Sequence, residues 1–337
     1  MLRLLALSED ADFVCYRYRL EAYRRALIER GWELDLLPWS VTMRGFLGQL
    51  PQIAQADAVV LQRSLLPWWK LRLIRAAAKV LIYELDDALF LRANTSKKSA
   101  RSARRRRLFR RTVQAADACS VGNAYLRQTA LADGGTPSQV HVVPTCVDHD
   151  RYPLAQHRRR GSEAQMVWVG SSSTLHSLND ALPGLQNAAG RLPGLELKVI
   201  CNVFPQLPGV RVVPTCWSSN SEAREIAAAD IGIAWHPDHP WCLGKCGLKV
   251  LQFMAAGLPV IVNPVGVHSD IVVHGETGLI ATTAEDWGEA VYTLAQSPEL
   301  RRRMGAAGRA RLIENYSVQH WGPRFAAMID RLGRQAA

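Results

Sequence analysis

The stretch Lys245-Cys-Gly-Leu-Lys249-Val-Leu-Gln252-Phe-Met-Ala-Ala-Gly257-Leu-Pro259-Val-Ile-Val262-Asn-Pro-Val-Gly266 decides the fold. Leu248, Leu251 and Ala255 recur at helical spacing, Gly257 stands where a helix C′ residue belongs, and Pro259 stops continuation. Residues 260–262 then form a short β-branched run, apolar on both faces, which suits a strand in a parallel sheet covered by helices. A helix feeding such a strand is the repeating unit of an α/β architecture.

The same alternation extends in both directions. Strands are predicted at residues 2–7, 33–37, 57–62, 80–85, 118–121 and 140–143, with helical stretches such as 18–30, ending at Gly31, and 66–78 between them. Residues 148–163 have little periodicity and read as a linker. Strands resume at 166–169, 195–200, 210–213, 231–235, 259–262 and 279–280. The tail from 298 to 332 reads as largely helical, with breaks near Gly305, Gly308 and Gly322. The expected organisation is an N-terminal Rossmann-like domain over 1–155, a second over 162–316, and a helical segment over 317–337. In doubly wound sheets, ligands sit outside the carboxyl ends of the strands.

A length of 337 residues suits two domains, taking ~150 residues for each. With 48% hydrophobic and 21% charged residues, the chain is globular rather than disordered. No apolar run approaches the ~20 residues that span a bilayer. The first residues turn acidic after Leu7 and lack a small-residue cleavage site, so they read as a strand rather than a signal peptide, pointing to the cytoplasm. The seven cysteines are odd in number and scattered, as reduced thiols would be. Cys242 and Cys246, with His236 and His239 nearby, lack a second pair at zinc-site spacing, so no metal is expected.

The formal charge of +11 is lopsided. Residues 1–158 carry 25 Lys/Arg against 15 Asp/Glu, and the remainder carries 16 against 15. Much of the excess lies in Lys97-Lys98-Ser-Ala-Arg101-Ser-Ala-Arg104-Arg105-Arg106-Arg107-Leu-Phe-Arg110-Arg111. Such a run suits nucleic acid, an anionic membrane surface or a phosphorylated acceptor, and equally a solvated helix face. Nucleic acid is disfavoured because neither a recognisable module nor interleaved aromatics accompany the run.

Positions 245, 249 and 252, four and three apart, are predicted to share one helix face. Lysines in the first turns of a helix oppose its dipole, unless an anion there recruits them together with the free N–H groups. Gly244 and Gly247 keep that entrance open. A second candidate follows the strand at 166–169: Gly170-Ser171-Ser172-Ser173-Thr174, a glycine and four hydroxyls suited to phosphate or sugar, or simply to capping a helix. In the first half, Asp86 and Asp87 end a strand, where carboxylates could orient an acceptor hydroxyl or take its proton. They could equally cap the next helix or pair with Arg17 or Arg19. Arg17, after the first strand, could meet acceptor or phosphate, or make a structural ion pair.

The run from 226 to 287, with Lys249-x-x-Gln252-Phe-Met-Ala-Ala-Gly257-Leu-Pro-Val-Ile, Gly266 and Gly275-Glu276-Thr277-Gly278-Leu, resembles the donor half of retaining GT-B glycosyltransferases of family 4. Similar pieces are Leu300-Arg-Arg-Arg-Met-Gly-Ala-Ala-Gly308-Arg, Tyr316-Ser-Val-Gln-His-Trp321, Gly122-Asn123-Ala-Tyr125-Leu and Pro144-Thr-Cys-Val147-Asp148. The resemblance implies two doubly wound domains facing an interdomain cleft. The second would bind a nucleoside-diphosphate sugar, the first the acceptor, and the tail helix would return to the first.

It implies no cofactor and no metal, and transfer with retention to a glycan, lipid-linked or other hydroxyl acceptor in cell-surface polysaccharide or glycoconjugate synthesis. The basic first half, read from its charge, suggests a lipid-linked or polyanionic acceptor and docking at an anionic membrane, peripheral at the inner face. The usual glutamates align with Gly244 and Gln252, and the usual phosphate-binding Arg and Lys with Ser171 and His176, so all four differ. Lys245 and Lys249 are expected to replace the missing cations and act in catalysis with Asp86, and Gln252 to reach a ribose hydroxyl. Donor contacts are expected from Gly170, Ser171, Ser172, Ser173, Thr174, Lys245, Gly247, Lys249 and Gln252, and acceptor contacts from Arg17, Asp86 and Asp87. Rival readings are a nucleotide-sugar epimerase on the same scaffold and a non-catalytic nucleic-acid-binding protein using the arginine run.

Overall fold

Strands apolar on both faces need cover on both sides, and the computed structural model, which describes residues 1–335, supplies it with helices around two all-parallel sheets. The first contains β1 (Leu2–Ser8), β2 (Trp32–Pro38), β3 (Ala58–Gln62), β4 (Leu81–Leu85), β5 (Ala118–Val121) and β6 (Val140–Val142), in the order β2-β1-β3-β4-β5-β6. The second contains β7 (Gln165–Val169), β8 (Glu196–Cys201), β9 (Arg211–Cys216), β10 (Ile231–Ala234), β11 (Val260–Val262) and β12 (Gly278–Ile280), in the order β12-β11-β10-β7-β8-β9. Every strand predicted from the sequence is present, with ends shifted by a few residues at most. The order reverses between β1 and β3 and again between β7 and β10, which marks the two places where such sheets hold ligands.

The chain divides into two compact units. The first comprises residues 1–146, 239–246 and the helix Val318–Gln335; the second comprises 147–238 and 247–317. The stretch 148–163, read as a linker, falls within the second unit. Ala336 and Ala337, the end of the expected tail segment, lie outside the described residues.

In the first unit, Leu4, Ala6, Val60, Ile82 and Ala118 from the sheet meet Tyr23, Leu27 and Trp32, and the tail helix adds Phe325 and Ile329. Tyr23 and Phe325 stack with centroids 4.7 Å apart, and Trp32 Nε1 donates to Asp330 at 3.1 Å. The second core sets Trp168, Val199 and Ile233 against Leu185, Trp287 and Val291. A buried charge cluster ties its elements together: Asp230 accepts from the Gln165 backbone at 3.0 Å and pairs with Arg159 at 2.7 Å and the fully buried Arg301 at 3.5 Å. Among the described residues no helix is long and apolar enough to cross a membrane.

The expected breaks at Gly305, Gly308 and Gly322 do not occur. One helix runs Pro298–Tyr316 and the next Val318–Gln335, and the break falls at Ser317, whose extended backbone bridges in parallel to Val147. Gly305 serves contact instead: a Cβ there would overlap the backbone carbonyl oxygen of Gly257. Gly305→Ala is therefore expected to lower stability by about 1–3 kcal/mol, although alanine is the better helix former. Gly48 lies within the helix Met43–Gln55 and has nothing within 4 Å of an added Cβ. Gly48→Ala should instead raise stability by ~0.5–1 kcal/mol. Urea denaturation of the two variants reads this opposition of sign; a stabilising Gly305→Ala would refute the close-contact account.

Candidate functional site

The reversal point of the second sheet lies beside the helix Leu248–Ala255. Gly247 caps that helix with φ +70, a left-handed conformation that an L side chain rarely adopts. Lys245 therefore lies outside the helix, and the expected common face of 245, 249 and 252 is corrected to one holding 249 and 252 only. At the other end, Gly257 N–H bonds Met254 O and Leu258 N–H bonds Phe253 O, both at 3.0 Å, the two bonds of a Schellman termination. Arg309 donates to the carbonyls of Ala255, Tyr152 (3.4 Å) and His149 (3.2 Å), clamping this end to the chain before β7. The helix is thus held at its carboxyl end while its first N–H groups follow a cap that offers no side-chain acceptor.

Lys249 stands in the first turn, with Nζ 4.6 Å from the centroid of Trp168 near the end of β7. This brings Lys249 to the strand end from which Gly170–Thr174 leaves, so the two motifs of the second unit meet. Gly170 has no room for a side chain, because a Cβ would approach the Trp168 ring at 2.5 Å and Thr174 Oγ1 at 2.7 Å. The hydroxyls of this loop are partly engaged in shaping it. Ser171 N–H donates to Thr174 Oγ1 at 3.2 Å, and Ser171 and Ser173 share a 2.8 Å hydrogen bond. Ser172 and Ser173 are exposed.

Two histidines outside the donor residues expected from the sequence lie at this edge. His236 follows β10 and Asn263 follows β11. Asn263 accepts from the His236 N–H at 2.9 Å and donates to its carbonyl at 2.6 Å, tying the strand ends together. His268 is fully buried, stacks on His236 at 4.0 Å, and donates from Nδ1 to the Asn263 carbonyl at 3.0 Å. Burial pushes the His268 imidazole down to about 4, with the positive charge of Lys249 adding to the fall against the opposing pull of the Asn263 bond. It is neutral at pH 7. Gln252, expected to reach a ribose, is instead buried and donates to the Tyr152 hydroxyl at 3.1 Å.

In the first unit the carboxyl ends of β3 and β4 carry an ion cluster. Arg63, the first residue after β3, forks onto Asp86 at 3.0 Å and Asp87 at 2.6 Å. Its φ of +47 places a non-glycine residue in the left-handed region, a strain of ~1 kcal/mol or more that its backbone bond to Glu84 O (2.8 Å) and its two ion pairs offset. Lys245, within this unit, brings Nζ to 3.9 Å from Asp87. The cations paired with the two aspartates are thus Arg63 and Lys245. Arg19 pairs with the buried Glu84 at 2.7 Å, and the Arg17 guanidinium lies over the Tyr18 ring. Arg63 carried no motif, and its place beside Asp86 becomes visible only once β3 is known to pair with β4.

The two carboxyls differ. Burial raises both, but Arg63 and Arg19 together hold Asp86 below the usual carboxylate range. At Asp87 burial prevails over Lys245 and Arg63, so its carboxyl is raised. The segment that delivers Lys245 is fastened by Asn123, which donates from Nδ2 to Leu243 O at 3.1 Å and Lys245 O at 3.0 Å, and by Cys246, whose thiol donates to the Asp86 carbonyl at 3.2 Å. Among the described residues no group of three or more His, Cys, Asp or Glu is disposed to hold a metal ion.

Comparison with known proteins gives three kinds of likeness. Residues 233–311 match the family model described as Glycosyl transferases group 1. The glycogen synthase of Mycobacterium tuberculosis is 25% identical over 195 residues, 54% of this chain and 46% of that protein, so the chain spans about half the length of this curated relative. Two solved structures share the architecture over almost the whole chain. HepE of Anabaena, solved with UDP and glucose, has a TM-score of 0.72 at 12% identity over 98% of this chain and 100% of its own. Sucrose-phosphate synthase of Thermosynechococcus elongatus has 0.74 at 14% identity, covering 99% and 100%. The chain accordingly has the GT-B fold of glycosyltransferases, with its glycosyl transferases group 1 match running from the end of β10 through the helix Leu248–Ala255, β11 and β12 to most of the helix Pro298–Tyr316.

Proposed function

We propose that this protein is a retaining glycosyltransferase that moves a sugar from a nucleoside diphosphate to a hydroxyl-bearing acceptor. One observation carries the reading: Lys249, in the first turn of a helix whose capping residue offers no acceptor, stands at the reversal point of the second sheet beside Gly170. An ammonium group and the positive end of a helix dipole at one strand edge suit a diphosphate. HepE, the structural neighbour solved with UDP and also with UDP-glucose, supports that class of donor and makes UDP-glucose the first probe.

Lys249 would neutralise the charge that builds on the departing diphosphate as the bond from the sugar to the phosphate oxygen breaks. Neutral His268 keeps a second positive charge off that edge and braces β11 through Asn263. Acceptor recognition falls to Asp86 and Asp87. Asp86, expected to be the proton acceptor, is held ionised by Arg63 and Arg19 and is the weaker base of the two. Asp87, raised by burial, is better matched to taking the acceptor proton as the new glycosidic bond forms. Lys245 then serves as its partner, and front-face attack gives retention. Synthesis of cell-surface polysaccharide or glycoconjugate is the proposed setting.

Calorimetric titration with UDP and UDP-glucose, together with UDP release from UDP-glucose, tests the donor site. Lys249→Ala is expected to keep its circular dichroism and lose about 10²–10³ in turnover; near-normal turnover in the folded variant rejects the assignment.

A pH profile tests the acceptor side. The ionised form of Asp87 is the active one, so activity falls as pH drops through its raised pKa, above the usual carboxylate range. Lys245→Ala removes a cation that favours that ionised form, so the acid limb should move to still higher pH. An unmoved limb means that another group titrates.

A further inference from the structure

The basic run at 97–111 does several different jobs. On the helix Ala103–Ala115, Arg105 donates to the Leu89 carbonyl at 2.7 Å, while Arg106 and Arg110 both face the buried carboxylate of Asp133. These three serve the fold. Arg104, Arg107 and Arg111 are three and four residues apart and exposed, so they form one outward face.

That face continues into a groove. The helix Trp68–Ala77 packs alongside, and a groove of about 570 Å³ is lined by Trp68, Leu71, Arg72, Arg75, Arg111 and Ala115. Leu71 and Ala115 give it an apolar floor, and Trp68 is 53% exposed, a large ring that the core does not claim. Arg72 lies 5.8 Å from the Trp68 ring centroid. Arg75 pairs with Asp117 at 3.2 Å. Arg72, Arg75 and Arg111 therefore line a groove that holds an exposed indole and an apolar floor, and Arg104 and Arg107 extend the basic face along the helix.

A merely solvated helix face needs no exposed tryptophan. A single-stranded nucleic-acid site stacks successive bases on several rings, and this groove offers one. An indole surrounded by guanidinium groups matches the boundary of a bilayer, where the ring settles among headgroups and arginines meet lipid phosphates. We propose that this face docks on an anionic membrane, with Trp68 as the inserted anchor and Arg72, Arg75, Arg104, Arg107 and Arg111 as the phosphate contacts. The inference is independent of the proposed transfer reaction, because none of these residues belongs to the donor or acceptor sites.

Co-sedimentation of the full chain with phosphatidylcholine vesicles, with and without phosphatidylglycerol, tests it. Binding is expected only with the anionic lipid and is expected to fall with added salt. Arg104→Glu/Arg107→Glu/Arg111→Glu should weaken partitioning by about tenfold or more. Trp68→Ala should weaken it while leaving the salt dependence in place. Both variants should keep circular dichroism and UDP binding unchanged. Equal binding to neutral vesicles, an unaffected triple variant, an unaffected Trp68→Ala, or a fluorescent RNA oligonucleotide that displaces the vesicles would each overturn the proposal.

Discussion

Parallel pairing makes all strands of a sheet end at the same edge, and nearly everything chemical in this chain follows from that constraint. Side chains within β1, β3 and β4 are swallowed by the core, so polar groups collect where strands end. In the first unit they must satisfy one another. Ser8 donates to Gln62 at 2.5 Å, Gln62 to Glu84 at 2.9 Å, and Arg19 to Glu84 at 2.7 Å and to the Val143 carbonyl at 2.6 Å. Arg19 and Glu84 are both about 1% exposed. Removing one partner would leave an uncompensated buried charge, typically costing 3–5 kcal/mol. This network joins β1, β3, β4 and the loop after β6, and it is the platform on which Arg63 holds the two aspartates.

The two edges are electrically unlike. The first offers carboxylates gripped by arginine, with burial and cations splitting an adjacent pair into one strong and one weak acid. The second offers an ammonium group, a glycine-led hydroxyl loop and a histidine kept neutral by burial. The proposed donor and acceptor sites make opposite demands, one for an anion and one for a neutral hydroxyl, and the two edges differ in the same sense.

Strand positions were legible because double-sided hydrophobicity and β-branching leave few alternatives, and Gly257 with Pro259 marks a helix end without ambiguity. Three things were not legible. A glycine just before a helical run reads equally as a widened entrance or as the cap itself, and only the φ of Gly247 separates them. Glycines in a long helical tail look like breaks when the reason for one of them, the passage of the Gly257 carbonyl against Gly305, lies almost fifty residues away in the chain. Ion-pair choice depends on strand order. Asp86 and Asp87 had arginines close by in sequence, but the register that sets Gln62 opposite Glu84 delivers Arg63 to them instead. Lys249 and the Gly170 loop were found separately, by motif; their meeting over Trp168 needed the fold.

The helix Val318–Gln335 has a consequence for how the protein is made. Residues 1–146 leave the ribosome before the second unit, but their core includes Phe325 and Ile329, so it stays open until the whole second unit has been translated. At ~5–20 residues per second that delay is on the order of 10–35 s. During it, Tyr23, Leu27 and Trp32 lack their natural cover, while the second unit has already gained all it requires. A nascent chain of this kind calls for shielding of its first sheet, and stalling before the helix Val318–Gln335 emerges would leave that sheet unfinished.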